Sequence, residues 1–445
     1  MVLSLALSTL TCSRAQYWLP PSSSPTPPPE ILLLLSTPDP TMLAASPTLQ
    51  PTLPENKPPV APSNPDPPVQ PTAVENSPPI LYYVQAADTL PVVAVRFAVD
   101  PEEITSPDPL PPTSLLTPGQ LLLIPRRLAN TTNSQRILPD SELVYSPSAT
   151  DFDIASFVQQ SGGKLSTYKQ WLKSTGVVSG AEVIQRVALE NSINPRLLLA
   201  LLEYQSHWVY GQPSNYNEEI YPLGYVDLGH KSLFHQLVWA VNQLSVGYYS
   251  WREGRLIELN FQGDEYHTRL APDLNAGSVA LQYFFAQLYD SQRWLEAIDL
   301  ENGFPALYER MFGNPWERAQ NVEPLYPPGL AQPPMILPFE MNRLWSFTGG
   351  PHGAWEQEGS YAALDFAPAS SEPGCVESNA WVTAAASGLV VRSDKGIVVL
   401  DLDGDGFEQT GWVLLYLHVS SESAVPVGTW AVSYTHLTLP TKRIV

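Results

Sequence analysis

Positive charge is what this sequence has least of: 23 Lys and Arg stand against 44 Asp and Glu, a net charge of −21 at pH 7. So acidic a chain is repelled by phosphate backbones and anionic headgroups, which excludes nucleic acid and anionic membrane surfaces as principal partners. Cysteine is nearly absent. Of the two, Cys12 lies in a leader-like segment and Cys375 is then alone, so no disulfide framework holds the fold. No stretch reaches the eighteen or so apolar residues of a membrane-spanning helix. Proline, by contrast, is abundant, and 20 of its 47 residues fall between positions 19 and 79.

That distribution organises the chain. Val2 to Leu10 is a short apolar run and Ser13-Arg14-Ala15 offers the small residues of a signal-peptidase site, so residues 1–18 read as a signal peptide and the protein as secreted. Cys12 as a lipoprotein cysteine is the alternative, poorly served by Thr9-Leu10-Thr11. Residues 19–79 cannot bury a core and read as an extended, partly polyproline tether.

Tyr82-Tyr83-Val84-Gln85-Ala86-Ala87-Asp88-Thr89-Leu90 opens the next unit, 80–127, and Leu116-Thr117-Pro118-Gly119-Gln120-Leu121-Leu122-Leu123-Ile124-Pro125 closes it. The pair resembles the LysM module, which implies a βααβ fold. Val92 to Phe97 and Pro101 to Ile104 would supply its helices, the second capped by Asp100. The resemblance implies that Asp88, Thr89 and Leu90, facing Leu116, Thr117 and Pro118, bind N-acetylglucosamine-containing glycan.

Residues 150–315 read as a separate all-α unit, with apolar residues at helical spacing in 181–191, 195–208, 233–249 and 275–289, and Asn194-Pro195 as a helix start. Ile193 to Ser206 resembles the catalytic helix of lysozyme-like lytic transglycosylases, but Gln205 stands where that family carries its Glu. An amide cannot protonate a glycosidic oxygen, so the unit reads as catalytically silent. Glu203 as a glycosidase acid is the alternative; it lies about 200° away around the helix.

After a linker, 316–338, residues 339–431 carry Gly349-Gly350-Pro351-His352-Gly353, then Leu364-Asp365-Phe366-Ala367-Pro368, then Tyr416-Leu417-His418. Strand-like runs 381–392, 396–402 and 412–420 separate them. These motifs resemble the LytM/lysostaphin-type zinc endopeptidases. The resemblance implies an antiparallel β-sheet peptidase domain, zinc held by His352 and Asp365, a catalytic role for His418, and peptidoglycan as substrate. Its third ligand, from a His-x-His strand, is missing. Residues 432–445 resemble a translated sequencing adapter, so this domain is expected to be truncated near Ala431 and His436 to have no role. Asp401-Leu402-Asp403-Gly404-Asp405-Gly406 begins like a calcium loop, but Trp412 stands where its bidentate Glu belongs, and a hairpin turn is the expectation.

The sequence thus predicts a multidomain α+β protein and a secreted, zinc-dependent cell-wall hydrolase that cuts peptide crosslinks. Two alternatives are a non-catalytic LytM-like activator that binds the wall and a glycan-cleaving enzyme working through the helical unit.

Overall fold

The computed structural model describes residues 77–173, 175–326, 331–352, 361–369, 380–394 and 396–438. The expected signal peptide, almost all of the tether, Cys12, Cys375, Gly353 and residues 439–445 lie outside the described residues.

The first unit pairs β1 (Ile80–Tyr83) antiparallel with β2 (Leu121–Ile124) and packs α1 (Leu90–Phe97) on one face. Alternation does the sorting: Tyr82, Leu122 and Ile124 are buried with Val93 and Phe97, while Leu81 and Tyr83 face outward. The expected second helix is a single 3-10 turn, Pro101–Glu103, where the backbone N–H of Asp100 donates to Glu103 Oε2 at 3.0 Å. Proline at its first position starts the turn, and the sequence has no helix-forming run after Glu103 to prolong it.

The helical unit is built on α2 (Ile154–Ser161), the hairpin β3 (Lys169–Leu172) and β4 (Gly176–Ser179), and then α3 (Gly180–Asn191) and α4 (Pro195–Ser206). The long α5 (Leu233–Arg252) and α6 (Ala276–Ala286) follow, with α7 (Ser291–Ile298) and α8 (Phe304–Phe312) closing the unit. Asn194 caps α4 as expected, its Oδ1 accepting from the Arg196 N–H at 3.0 Å. Gly247 lets α5 and α6 touch, since a Cβ there would sit 2.8 Å from Ala280 Cα. The core extends further upstream than position 150: Ile137, Leu138 and Leu143 are buried in it, and Asn275 Nδ2 donates to the Leu138 carbonyl at 2.7 Å. Glu142 is fully buried, accepting from Tyr308 Oη at 2.5 Å and from Arg318 at 2.9 and 3.1 Å. Burial, and then the Glu142 carboxylate, push the Tyr308 hydroxyl far above its ordinary range, so it stays a donor.

The first unit does not hang free. Gln85 Nε2 donates to the carbonyls of Asp273 and Leu274 at 3.0 and 3.2 Å, and Arg269 Nη2 returns bonds to those of Val95 and Arg96 at 3.0 and 3.2 Å. The Arg96 guanidinium also lies 5.1 Å from the ring centre of Trp251.

The last unit is antiparallel β. The strands β5 (Trp345–His352) and β6 (Ala363–Pro368) form one ribbon. A four-stranded sheet runs in the order β10 (Val413–Leu417), β9 (Ile397–Asp401), β8 (Gly388–Asp394), β11 (Trp430–Ala431). The run 381–392 is not one strand. It divides into β7 (Val382–Thr383) and β8, because 384–387 is Ala-Ala-Ala-Ser, poor in the β-branched bulk that fills a sheet face. Within the stretch expected to be adapter-derived, β12 (His436–Thr438) pairs with β7 and Leu437 is fully buried in the unit's core. The His436 ring stacks on Trp381 at 4.9 Å and its Nε2 lies 3.3 Å from Glu340.

Candidate active site

His352 and Asp365 are thirteen positions apart in sequence and meet in space, His352 Nε2 lying 2.9 Å from Asp365 Oδ2. Antiparallel pairing does this: Gly349 faces Asp365, and His352 faces Ala363, across a ribbon whose register shifts twice. The shifts are bulges, and bulges re-aim side chains. Two glycines make the approach possible. A Cβ on Gly349 would sit 2.9 Å from Asp365 Oδ2, and Gly350, at φ 113°, would put one 2.6 Å from the Ala363 carbonyl oxygen. Asp365 is exposed and His352 half-buried, so the pair is open to solvent on one side.

An imidazole nitrogen and a carboxylate oxygen converging at an exposed β-ribbon suit zinc as two of the three protein ligands a hydrolytic site needs. Among the described residues, no third His, Cys, Asp or Glu gathers with them; the group whose ligand atoms all lie within 4.8 Å is Asp401, Asp403 and Asp405. His418 follows β10 with its side chain exposed and its backbone at φ 59°, while the next residue, Val419, returns a bond to the Gly396 carbonyl at 3.2 Å. Two residues earlier, Tyr416 Oη accepts from the Ala385 N–H at 2.9 Å, and burial raises that hydroxyl to about 12. Tyr416 therefore ties the His418 strand to the turn after β7.

The three-aspartate loop is a hairpin turn, as expected. The Asp401 carboxylate is buried and accepts from the N–H groups of Asp403, Gly404 and Gly406 at 3.2, 3.1 and 2.8 Å. Its burial works to raise its pKa, but the Asp403 carboxyl and these N–H groups hold it below the usual value. Asp403, hydrogen-bonded to Asp401 and crowded by it, is raised to about 6. A raised acid stabilises the fold below its unfolded pKa of about 4, and that contribution is lost as pH climbs through about 6. Asp403→Asn supplies the donor without the charge. Its melting temperature in metal-free buffer should therefore exceed the parent's by more at pH 8 than at pH 4.5; an equal difference at both would exclude the shared proton.

The residues expected to bind glycan divide by environment. Asp88 is buried: Tyr82 Oη donates to its Oδ2 at 2.5 Å, the Gln85 N–H donates at 2.9 Å, and Arg96 pairs with its Oδ1. Its carboxylate is thus engaged inside the module, holding strand, turn and helix together. Leu90 and Leu116 are likewise core residues, whereas Thr117 is exposed and Pro118 half-buried beside exposed Leu115. Thr89 bridges to Leu115, which closes the module's two ends on each other.

In the helical unit, Glu203 is a buried carboxylate whose Oε2 accepts from the N–H groups of Val209 and Tyr210, both at 2.9 Å. That oxygen fixes the turn after α4, while Oε1 lies 3.6 Å from His207 Nδ1. Gln205 Oε1 accepts from Tyr289 Oη at 2.6 Å, a hydroxyl that burial raises to about 12. Sequence reasoning did not foresee either partnership, since both join α4 to segments distant in the chain or to the turn beyond it.

Residues 136–326 match the family model described as LasA, N-terminal domain. This is the N-terminal part of a staphylolytic, LytM-related peptidase family, and the match covers the helical unit from its first buried residues onward. No curated protein and no solved structure is matched. Among the described residues no helix is long and apolar enough to cross a membrane.

Proposed function

We propose that this chain is a secreted cell-wall hydrolase whose LysM-like module binds peptidoglycan and whose C-terminal β unit cleaves its peptide crosslinks with zinc. The observation that carries this reading is the meeting of His352 with Asp365 in a β-ribbon downstream of a LasA-type N-terminal domain. His352 and Asp365 would hold the metal, with a third ligand from a His-x-His strand. When bound, zinc lowers the pKa of a coordinated water so that hydroxide exists near neutral pH. His418 would donate to the oxyanion or carry a proton to the leaving amine. The helical unit would position the wall without cutting glycan, since Gln205 has no proton to give and Glu203 is occupied.

One observation favours a second reading. His352 Nε2 and Asp365 Oδ2 lie 2.9 Å apart, within hydrogen-bond reach of each other without a metal, and a LytM-like protein whose pair is so satisfied would bind the wall and activate another hydrolase. The experiment is release of new amino termini from purified peptidoglycan by zinc-supplemented protein, with chelator as control. Chelator-sensitive release supports the enzyme. Wall binding with no release supports the activator.

A further inference from the structure

The hairpin of β3 and β4 carries a feature that the peptidase reading leaves unused. Trp171 and Val177 face each other across the strands and are 65% and 67% exposed. Strand alternation puts Lys169 and Ser179, another facing pair, on the same side, while Gln170 and Leu172 point inward. The inward face is anchored: Gln170 Nε2 donates to Ser232 Oγ at 2.9 Å and its Oε1 accepts from the Phe234 N–H at 3.2 Å. Trp171 is therefore presented on a fixed sheet face at the surface.

Charge around it runs against the rest of the molecule. From Ile154 to Ala181 there is no acidic residue and there are three lysines, Lys164, Lys169 and Lys173; the carboxylate that reaches this face is Glu182, which accepts from Ser179 Oγ at 2.8 Å at its far end. Of the three lysines, Lys169 shares the Trp171 face by strand alternation and exposed Lys173 follows the same strand. Lys164 is half-neutralised by Glu219 at 2.7 Å. A lysine beside an apolar aromatic plate suits a ligand with apolar ring faces and a carboxylate. An anionic bilayer fits less well, because the whole chain is repelled by it and Trp171 lies on the sheet face rather than on the turn.

We infer that this hairpin is a second wall-binding surface, on which Trp171 stacks against an amino-sugar ring and Lys169 meets the carboxylates of the attached peptide stems. The inference rests on the wall-directed reading above. Aromatic anchors at binding surfaces concentrate affinity, and the lysine beside one adds a salt-sensitive part.

The test uses the full chain, sedimented with insoluble peptidoglycan over a range of salt. Trp171→Ala should weaken binding about ten- to thirty-fold, Trp171→Phe should keep most of it, and Lys169→Glu should weaken it several-fold and flatten its salt dependence. Both side chains are surface ones, so the melting temperature should be unchanged in all three variants, which separates lost contact from lost fold. Wall affinity unaltered in both Trp171→Ala and Lys169→Glu overturns the inference while leaving the wall reading intact. So does Trp171-dependent binding to phosphatidylglycerol vesicles with wall binding unaffected. Failure of the unaltered protein to bind the wall removes the wall reading and this surface with it.

Discussion

Asp365→Asn is expected to abolish both zinc retention and peptide cleavage. Asp365 lies 2.9 Å from His352 at an exposed ribbon, so the variant keeps the shape and loses the charge. An amide oxygen is a far weaker donor than a carboxylate for a divalent cation. With His352 as the sole remaining ligand of the pair, the site falls below the three that a hydrolytic zinc needs. His418→Ala should behave differently, leaving metal content unchanged and lowering turnover by about two to four orders of magnitude, the scale of a lost oxyanion donor or proton carrier. Gln205→Ala should alter neither. Metal analysis and amino-terminus release on the same preparations decide the matter. Normal cleavage by Asp365→Asn would sink the zinc assignment, and loss of glycan-chain cleavage in Gln205→Ala would make the helical unit an enzyme.

The second large effect concerns stability. Asp88→Ala should destabilise the first unit by about 3–5 kcal/mol, because it leaves Arg96, 2% exposed, without its counter-charge and strips Tyr82 of its acceptor. Asp88→Asn should cost less, since an amide oxygen still accepts from Tyr82 Oη. Denaturant unfolding followed by tryptophan fluorescence measures it, Trp251 lying against Arg96. If Asp88→Ala unfolds like the parent but loses glycan binding, Asp88 contacts ligand and its place in the core is incidental.

Much of this was legible in the sequence where a feature is local. The cap of α4 at Asn194, the period of the four long helices and the LysM-like end strands need only neighbouring residues, and each lies where it was expected. The site was legible in part: His352 and Asp365 were picked out by motif, but a spacing of thirteen gives no hint of a bulged ribbon. What sequence missed is long-range. Asp88 was named for glycan binding by its resemblance to a LysM position, and a motif of neighbouring residues does not reveal that packing brings Arg96 against it. The β3–β4 hairpin escaped notice because strands of four residues leave too short a trace to separate from the flanking helices.

The bonds from Gln85 and Arg269 that join the first unit to the helical one have a geometric consequence. Modules on a flexible leash search a lattice independently, and their joint affinity depends on leash length. Here the β1–α1–β2 module and the Trp171 hairpin ride on one body, so their separation is a constant of the fold. If both surfaces bind the wall as proposed, such a pair would act as a gauge, gripping tightly where the repeat of the target matches that distance and only one-handed elsewhere. Grip would then report the spacing of the wall rather than merely its presence.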